Sequence, residues 1–235
     1  LKWTLGSPQA GIPLEPMRSL RHHGRLPIDL HATWEAMPRP RRVRVASVAA
    51  TGVTEALSRV TRAYWGLEPE LVRPRAHHQG LSIAYQDPGR LGVDRWLALL
   101  AAQRLAATPV LILDAGTAIT FDLLLPGGRH LGGLILPGVE TMRQALLANT
   151  QIPAVEPEEA ADSWASDTAT AIAVASLDAP AALAERLLGQ LAAEAGAEPL
   201  LILTGGDAER LRLRLQVDTL LVPDLVLQGL ALAPA

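Results

Sequence analysis

The segment "VLILDAGTAITFD", Val110 to Asp122, constrains the fold more than any other stretch of this chain. Val110–Leu113 is short and wholly apolar, the pattern of a strand buried on both faces. It delivers Asp114 to its carboxyl end. Ala115-Gly116 then turns the backbone tightly, and the chain re-enters an apolar segment at Ile119–Leu125. A strand that returns at once into another strand excludes the Walker and dinucleotide-binding glycine motifs, because each needs a helix directly after its turn. "PGG" at 126–128 reverses the chain again into Leu131–Leu136, so three strands meander. Pro137-Gly138 opens a helix with Val139, Met142 and Leu146 on one side.

Beyond it, an Ala-rich helical region covers Thr168–Glu194 and is expected to break near Pro180. "LLILTGGDAERLRLRL" gives strand, glycine turn and helix, and "LLVPDLVLQGLALA" follows. Three meandering strands, then helix, strand and helix, make an RNase H-like half. Ahead of it the chain is less regular. "LKWTL" and Arg42–Ala50 read as strands, Thr51-Gly52 opens a helix, and Glu70–Pro74 reads as a third strand. "DPGRLGVDRW" is a turn-rich loop entering a helix from Asp94 to about Ala107, and Pro109 ends it. The expected division is therefore 1–108 and 109–235, the last segment packing back on the first half.

At 235 residues the chain can bury a substantial core, and with aromatics at 3% the expected packing is by Leu, Ala and Val, as in an α/β protein. The absence of cysteine excludes disulfides, thiolate zinc sites and cysteine nucleophiles. The six histidines lack a helical metal-ligand spacing and read as surface-loop residues. A net charge of −3 gives no global attraction for nucleic acid or anionic membrane. The longest apolar stretch, Trp96–Leu113, is broken by Gln103, Arg104 and Pro109, and no signal peptide is visible. The expectation is a soluble cytoplasmic protein with neither nucleic acid nor membrane as a partner.

The Asp114 corner suggests chemistry. Amides around Gly116 to Ala118, with the Thr117 hydroxyl, can point at an anion. A carboxylate beside such a turn makes sense when a cation stands between, so Asp114 reads as handling a metal or its water. A plain hairpin turn is the competing reading. "LILTGGDAE" places a second glycine turn at a strand end, at Gly205-Gly206, with a helix starting at Asp207. Two such turns in one α/β half suggest a single nucleotide gripped from both sides. "LGGLILPG" reads equally as a closely packed hairpin arm or a ligand contact.

In order along the chain, "GVDRW", "DAGTAITFD", "HLGGLILPGVETMRQAL", "SDTATAI" and "LTGGDAE" resemble type III pantothenate kinase. This family, also known as Bvg accessory factor proteins, lies in the acetate and sugar kinase, heat-shock protein and actin superfamily. The resemblance runs from about Tyr85 to the C-terminus, and more loosely back to Lys2. It implies two RNase H-like, actin-like ATPase halves with the active site in the cleft between them. It implies ATP-dependent phosphorylation of pantothenate to 4′-phosphopantothenate, the first step toward coenzyme A. The implied cofactors are ATP, Mg2+ and a monovalent cation, potassium or ammonium, and the implied assembly is a homodimer.

Residue by residue, the resemblance makes Asp94 the general base, and assigns pantothenate binding to Tyr85, Gly92, Arg95 and a Thr168 reaching in from the partner subunit. It puts Asp114, Gly116, Thr117 and Ala118 in a phosphate motif, Thr204, Gly205 and Gly206 in an adenosine motif, and Asp122 at the monovalent cation. From spacing alone, Asp94 reads as a helix cap instead. The family's own opening strand, bearing D-x-G-N-T about a dozen residues ahead of a Lys-Trp pair, has no counterpart here, where Lys2-Trp3 follows Leu1 directly. That strand is expected upstream. Asp167 stands where asparagine is common and Ala175 where glycine is usual. A non-catalytic nucleotide-binding homologue and a kinase for a different small molecule are the alternatives.

Overall fold

The computed structural model describes residues 1–6, 15–20, 26, 28–48, 51–152 and 164–234. Two compact units emerge: 1–76 with 85–101 and 224–235, and 77–84 with 102–223.

In the first unit, β1 (Lys2–Trp3) pairs antiparallel with β2 (Arg18–Ser19), and β3 (Arg44–Val45) pairs parallel with β4 (Glu70–Leu71). The strand expected over Arg42–Ala50 is reduced to two residues, because β4 offers only a two-residue ladder; Ala49 and Ala50 lie outside the described residues. The helices are α1 (Ile28–Glu35), α2 (Thr51–Trp65), α3 (Val93–Leu105, which continues past the unit's limit) and α7 (Leu225–Leu232). Leu57, Val60, Thr61 and Trp65 bury one face of α2, as its helical spacing requires. They pack with Leu30 and Trp34, and Trp34 sits 5.0 Å from Trp65 and 6.3 Å from Trp3 between ring centroids. Three of the five tryptophans thus carry a cluster that was expected to be aliphatic: the aromatics are scarce but concentrated. A Cβ on Gly229 of α7 would overlap the Leu97 backbone, so glycine sets the spacing of α3 and α7.

The second unit is built on a seven-stranded sheet in the order β11-β10-β7-β8-β9-β6-β5. Its strands are β5 (His77–His78), β6 (Leu81–Ser82), β7 (Val110–Ala115), β8 (Ala118–Leu125), β9 (Arg129–Pro137), β10 (Leu200–Thr204) and β11 (Thr219–Leu221). β7, β8 and β9 form the antiparallel meander, and β10 and β11 join β7 in parallel. The helices are α4 (Val139–Asn149), α5 (Thr168–Ala195) and the single-turn α6 (Ala208–Arg212). Leu111, Leu113, Ile119, Phe121, Leu201 and Leu203 share a core with Leu177, Ala181, Ala184, Leu188 and Leu191 of α5.

α5 runs unbroken through Pro180, contrary to the expected break. The missing amide and ring crowding cost about 3 kcal/mol in a helix interior. Burial of Leu177, Pro180, Ala181 and Ala184 offsets that cost by covering the apolar sheet face. The histidines also depart from expectation. His77 and His78 form β5, and His130 is 3% exposed inside the sheet; His22 and His23 lie outside the described residues. Among the described residues, no helix is long and apolar enough to cross a membrane.

Candidate active site

Two groups of side chains stand out, one in each unit. In the first, α3 begins at Val93, and the Trp96 amide donates to the Gly92 carbonyl at 3.0 Å, making Gly92 the cap position. Asp94 lies within the first turn, and its Oδ1 accepts the Arg95 amide at 2.8 Å. A Cβ on Gly92 would stand 2.5 Å from Asp94 Oδ1, so glycine keeps the space beside that carboxylate clear. Arg95 is 6% exposed; its guanidinium donates to the Tyr85 hydroxyl at 3.0 Å and lies 5.8 Å from the centre of that ring. Tyr85, Gln86, Asp87 and Arg90 line an open recess of about 380 Å3. Arg90 ends a single 3-10 turn, Pro88–Arg90, capped by Asp87, which accepts the Gly89 amide at 2.9 Å. Tyr85, Gly92, Asp94 and Arg95 are therefore brought together in one place, with a guanidinium and a carboxylate on consecutive residues.

In the second unit, β7 and β10 are parallel neighbours with Asp114 opposite Thr204, so both glycine turns leave the same end of the sheet side by side. Gly205 has φ +98°, and a Cβ there would stand 2.5 Å from the Ala115 carbonyl carbon. The Asp207 amide donates to Ala115 O at 3.0 Å, locking the two turns together. A third glycine joins them. Gly138 donates to Thr117 O at 2.8 Å, and a Cβ on it would stand 2.6 Å from that same oxygen. The Thr141 hydroxyl donates to Thr117 O at 3.0 Å. The sequence left "LGGLILPG", which ends in Gly138, open between a packed hairpin arm and a ligand contact, and gave no sign of Thr141 here; the "PG" before α4 marked a helix start but not the turn beneath it.

In this corner Thr117, Ala118 and Gly206 are exposed, and Asp114, Gly116 and Gly205 are partly exposed. Thr204 is buried, its hydroxyl 3.4 Å from Pro223 O. The arrangement offers a glycine-walled surface on which a flat or anionic group can approach backbone closely.

Residues 17–190 match the family described as type III pantothenate kinase. The chain belongs to the type III pantothenate kinase family. A protein of that name from Nitrosospira multiformis is 36% identical over 203 residues, 86% of this chain and 77% of its own length. One from Azoarcus sp. strain BH72 is 37% identical over the whole chain and 87% of its own length, and one from Stenotrophomonas maltophilia is 43% identical over 80% and 75%. Among solved structures, a conserved Baf-family protein of Campylobacter jejuni superposes with a TM-score of 0.56. It is 21% identical over 87% of this chain and 85% of its own, a likeness of fold.

Two further residues that the resemblance to pantothenate kinases singled out, Asp122 and Thr168, belong to the second unit and differ in exposure. Asp122 is 1% exposed in the middle of β8, 3.0 Å from His130 Nε2. Thr168 is exposed in the first turn of α5. Asp167 caps that helix, accepting the Thr170 amide at 3.0 Å.

The Thr170 hydroxyl, and next its backbone amide, hold the Asp167 carboxyl below the usual carboxylate range. A carboxyl lowered by folding contributes stability above its unfolded pKa and loses it as pH falls through the folded one. The melting-temperature advantage of wild type over Asp167→Ala is therefore expected to be constant at neutral pH and to vanish only on acidification below about pH 4. Asp167→Asn keeps the acceptor but not the titration, so its difference from Asp167→Ala is expected to show no such acid loss.

Proposed function

We propose that this chain catalyses the ATP-dependent phosphorylation of pantothenate at its primary hydroxyl, giving 4′-phosphopantothenate and opening coenzyme A synthesis in the cytoplasm. The observation that carries this reading is the juxtaposition of Asp94 with a buried Arg95 braced by Tyr85, in a member of this family. A guanidinium presents paired donors that match a carboxylate, which suits Arg95 to the acid end of pantothenate. A primary alcohol is a poor nucleophile at neutral pH. Asp94 is suited to accept its proton as the phosphoryl group moves.

The glycine corner around Gly116, Gly138 and Gly205 is suited to ATP. Its backbone allows close approach, and the exposed Thr117 offers a hydroxyl to the phosphates. Asp114 fits Mg2+: a partly exposed carboxylate at a strand end is a hard oxygen donor. When bound there, the ion would neutralise phosphate charge. Asp122 does not fit a monovalent cation taken directly from solvent, because its carboxylate is buried and already receives His130. We extend the reading to a homodimer in which the exposed Thr168 serves a neighbouring copy.

The test is ADP release by the full-length protein. Release is expected to require pantothenate and to be absent with sugars. Equal release with sugars, or none with pantothenate, would overturn the assignment.

A further inference from the structure

The proposed reaction leaves unused one buried ionisable pair in the second unit. Asp122 and His130 are 1% and 3% exposed, with Asp122 Oδ1 and His130 Nε2 3.0 Å apart. The Ala84 amide donates to His130 Nδ1 at 3.5 Å. A ring nitrogen that accepts a hydrogen bond carries no hydrogen of its own, so Nε2 bears the ring hydrogen and donates a hydrogen bond to Asp122. Carboxylate, imidazole and backbone amide thus form a line across β8, β9 and the exit of β6.

The sequence builds this line through a slip in the sheet. Asp122 pairs with Gly133 and Leu123 with Gly132, but Leu124 pairs with His130, skipping Leu131. Alternation puts Leu124 on the face of Asp122, so the slip brings His130 there in place of Leu131. Gly132, with φ +113°, sits at the slip. Gly133, directly opposite Asp122, adds no side chain to that face. β6 needs such help: only Ser82↔Arg129 registers it to β9. Directly after Ala84 the chain enters the first unit at Tyr85, the residue that braces Arg95.

We propose that Asp122 and His130 are a positioning pair that holds the backbone at Ala84 and so fixes the point from which Tyr85 departs. The grip on the acid substrate depends on this pair, whereas binding of a monovalent cation does not. This rests on the assignment of Tyr85 and Arg95 to pantothenate.

The test uses the full-length protein with His130→Ala, His130→Asn and Asp122→Asn. His130→Ala is expected to raise KM for pantothenate about tenfold, with kcat and KM for ATP changed less than about twofold. The same change is expected to speed hydrogen exchange at the Ala84 amide. His130→Asn, whose side-chain oxygen can replace Nδ1 as acceptor, is expected to recover part of both effects. Asp122→Asn still accepts from Nε2 and is expected to keep the wild-type response of melting temperature to KCl against NaCl.

Wild-type KM and wild-type exchange at Ala84 in His130→Ala would overturn the proposal. So would loss of the KCl response in Asp122→Asn. If pantothenate is not turned over by wild type, the functional assignment fails, and the Ala84 exchange still decides whether the pair anchors this backbone.

Discussion

Asp94→Asn is expected to lower kcat about a thousandfold while affinity for a non-hydrolysable ATP analogue changes less than about twofold. The separation follows from the local geometry. Asp94 Oδ1 accepts the Arg95 amide at 2.8 Å, and an asparagine oxygen can accept the same bond, so the start of α3 and the bracing of Arg95 by Tyr85 should survive. Asparagine cannot take a proton from the substrate alcohol. A thousandfold loss is about 4 kcal/mol of transition-state stabilisation, within the range a positioned base supplies. Coupled ADP-release kinetics give kcat, and calorimetry with the analogue gives the binding constant. Retained turnover would return Asp94 to the role that spacing alone suggested, that of securing the first turn of a helix.

That alternative shows how far residues could be read without their neighbours. The meander of β7, β8 and β9 was legible because its strands are apolar runs and its reversals fall on glycine. β5 and β6 were not. "HH" and "LS" have no period of their own, and they are strands only because the sheet beside them has a free edge. Pro180 misled for a related reason: a local rule says break, and the α5 core overrides it. The glycine turns after β7 and β10 announced a site, since each ends an apolar strand in residues that need no Cβ. Gly138 was left open, because it meets Thr117 only through the β8–β9 ladder, where Ala118 pairs with Pro137 and the Gly138 amide reaches Thr117 O just beyond. His130 escaped notice because a one-residue slip, invisible in the pattern, decides which face it takes.

Gly205→Ala is expected to destabilise the protein by about 3 kcal/mol, through strain at positive φ together with overpacking against fixed backbone. The native φ of +98° is one that L side chains rarely adopt, and the added Cβ would meet the carbonyl carbon of Ala115 at 2.5 Å. Ala115 cannot easily retreat, being the last residue of a central strand whose carbonyl also takes the Asp207 amide. For a chain of this size the loss corresponds to about 6–12 °C in Tm. Gly206→Ala is the control: its Cβ would meet nothing within 4 Å and its φ is unexceptional. It should shift Tm by less than about 2 °C, as exposed sites without special features do. Scanning calorimetry separates the two variants, and titration of each with the ATP analogue below its melting range separates fold from function. If the corner serves only to join β7 to β10, folded Gly205→Ala will bind nucleotide as wild type does. If it cradles ATP, the shift of backbone that makes room for the methyl group will weaken binding about tenfold or more, because a misplacement of about 1 Å in a binding site is enough to do so.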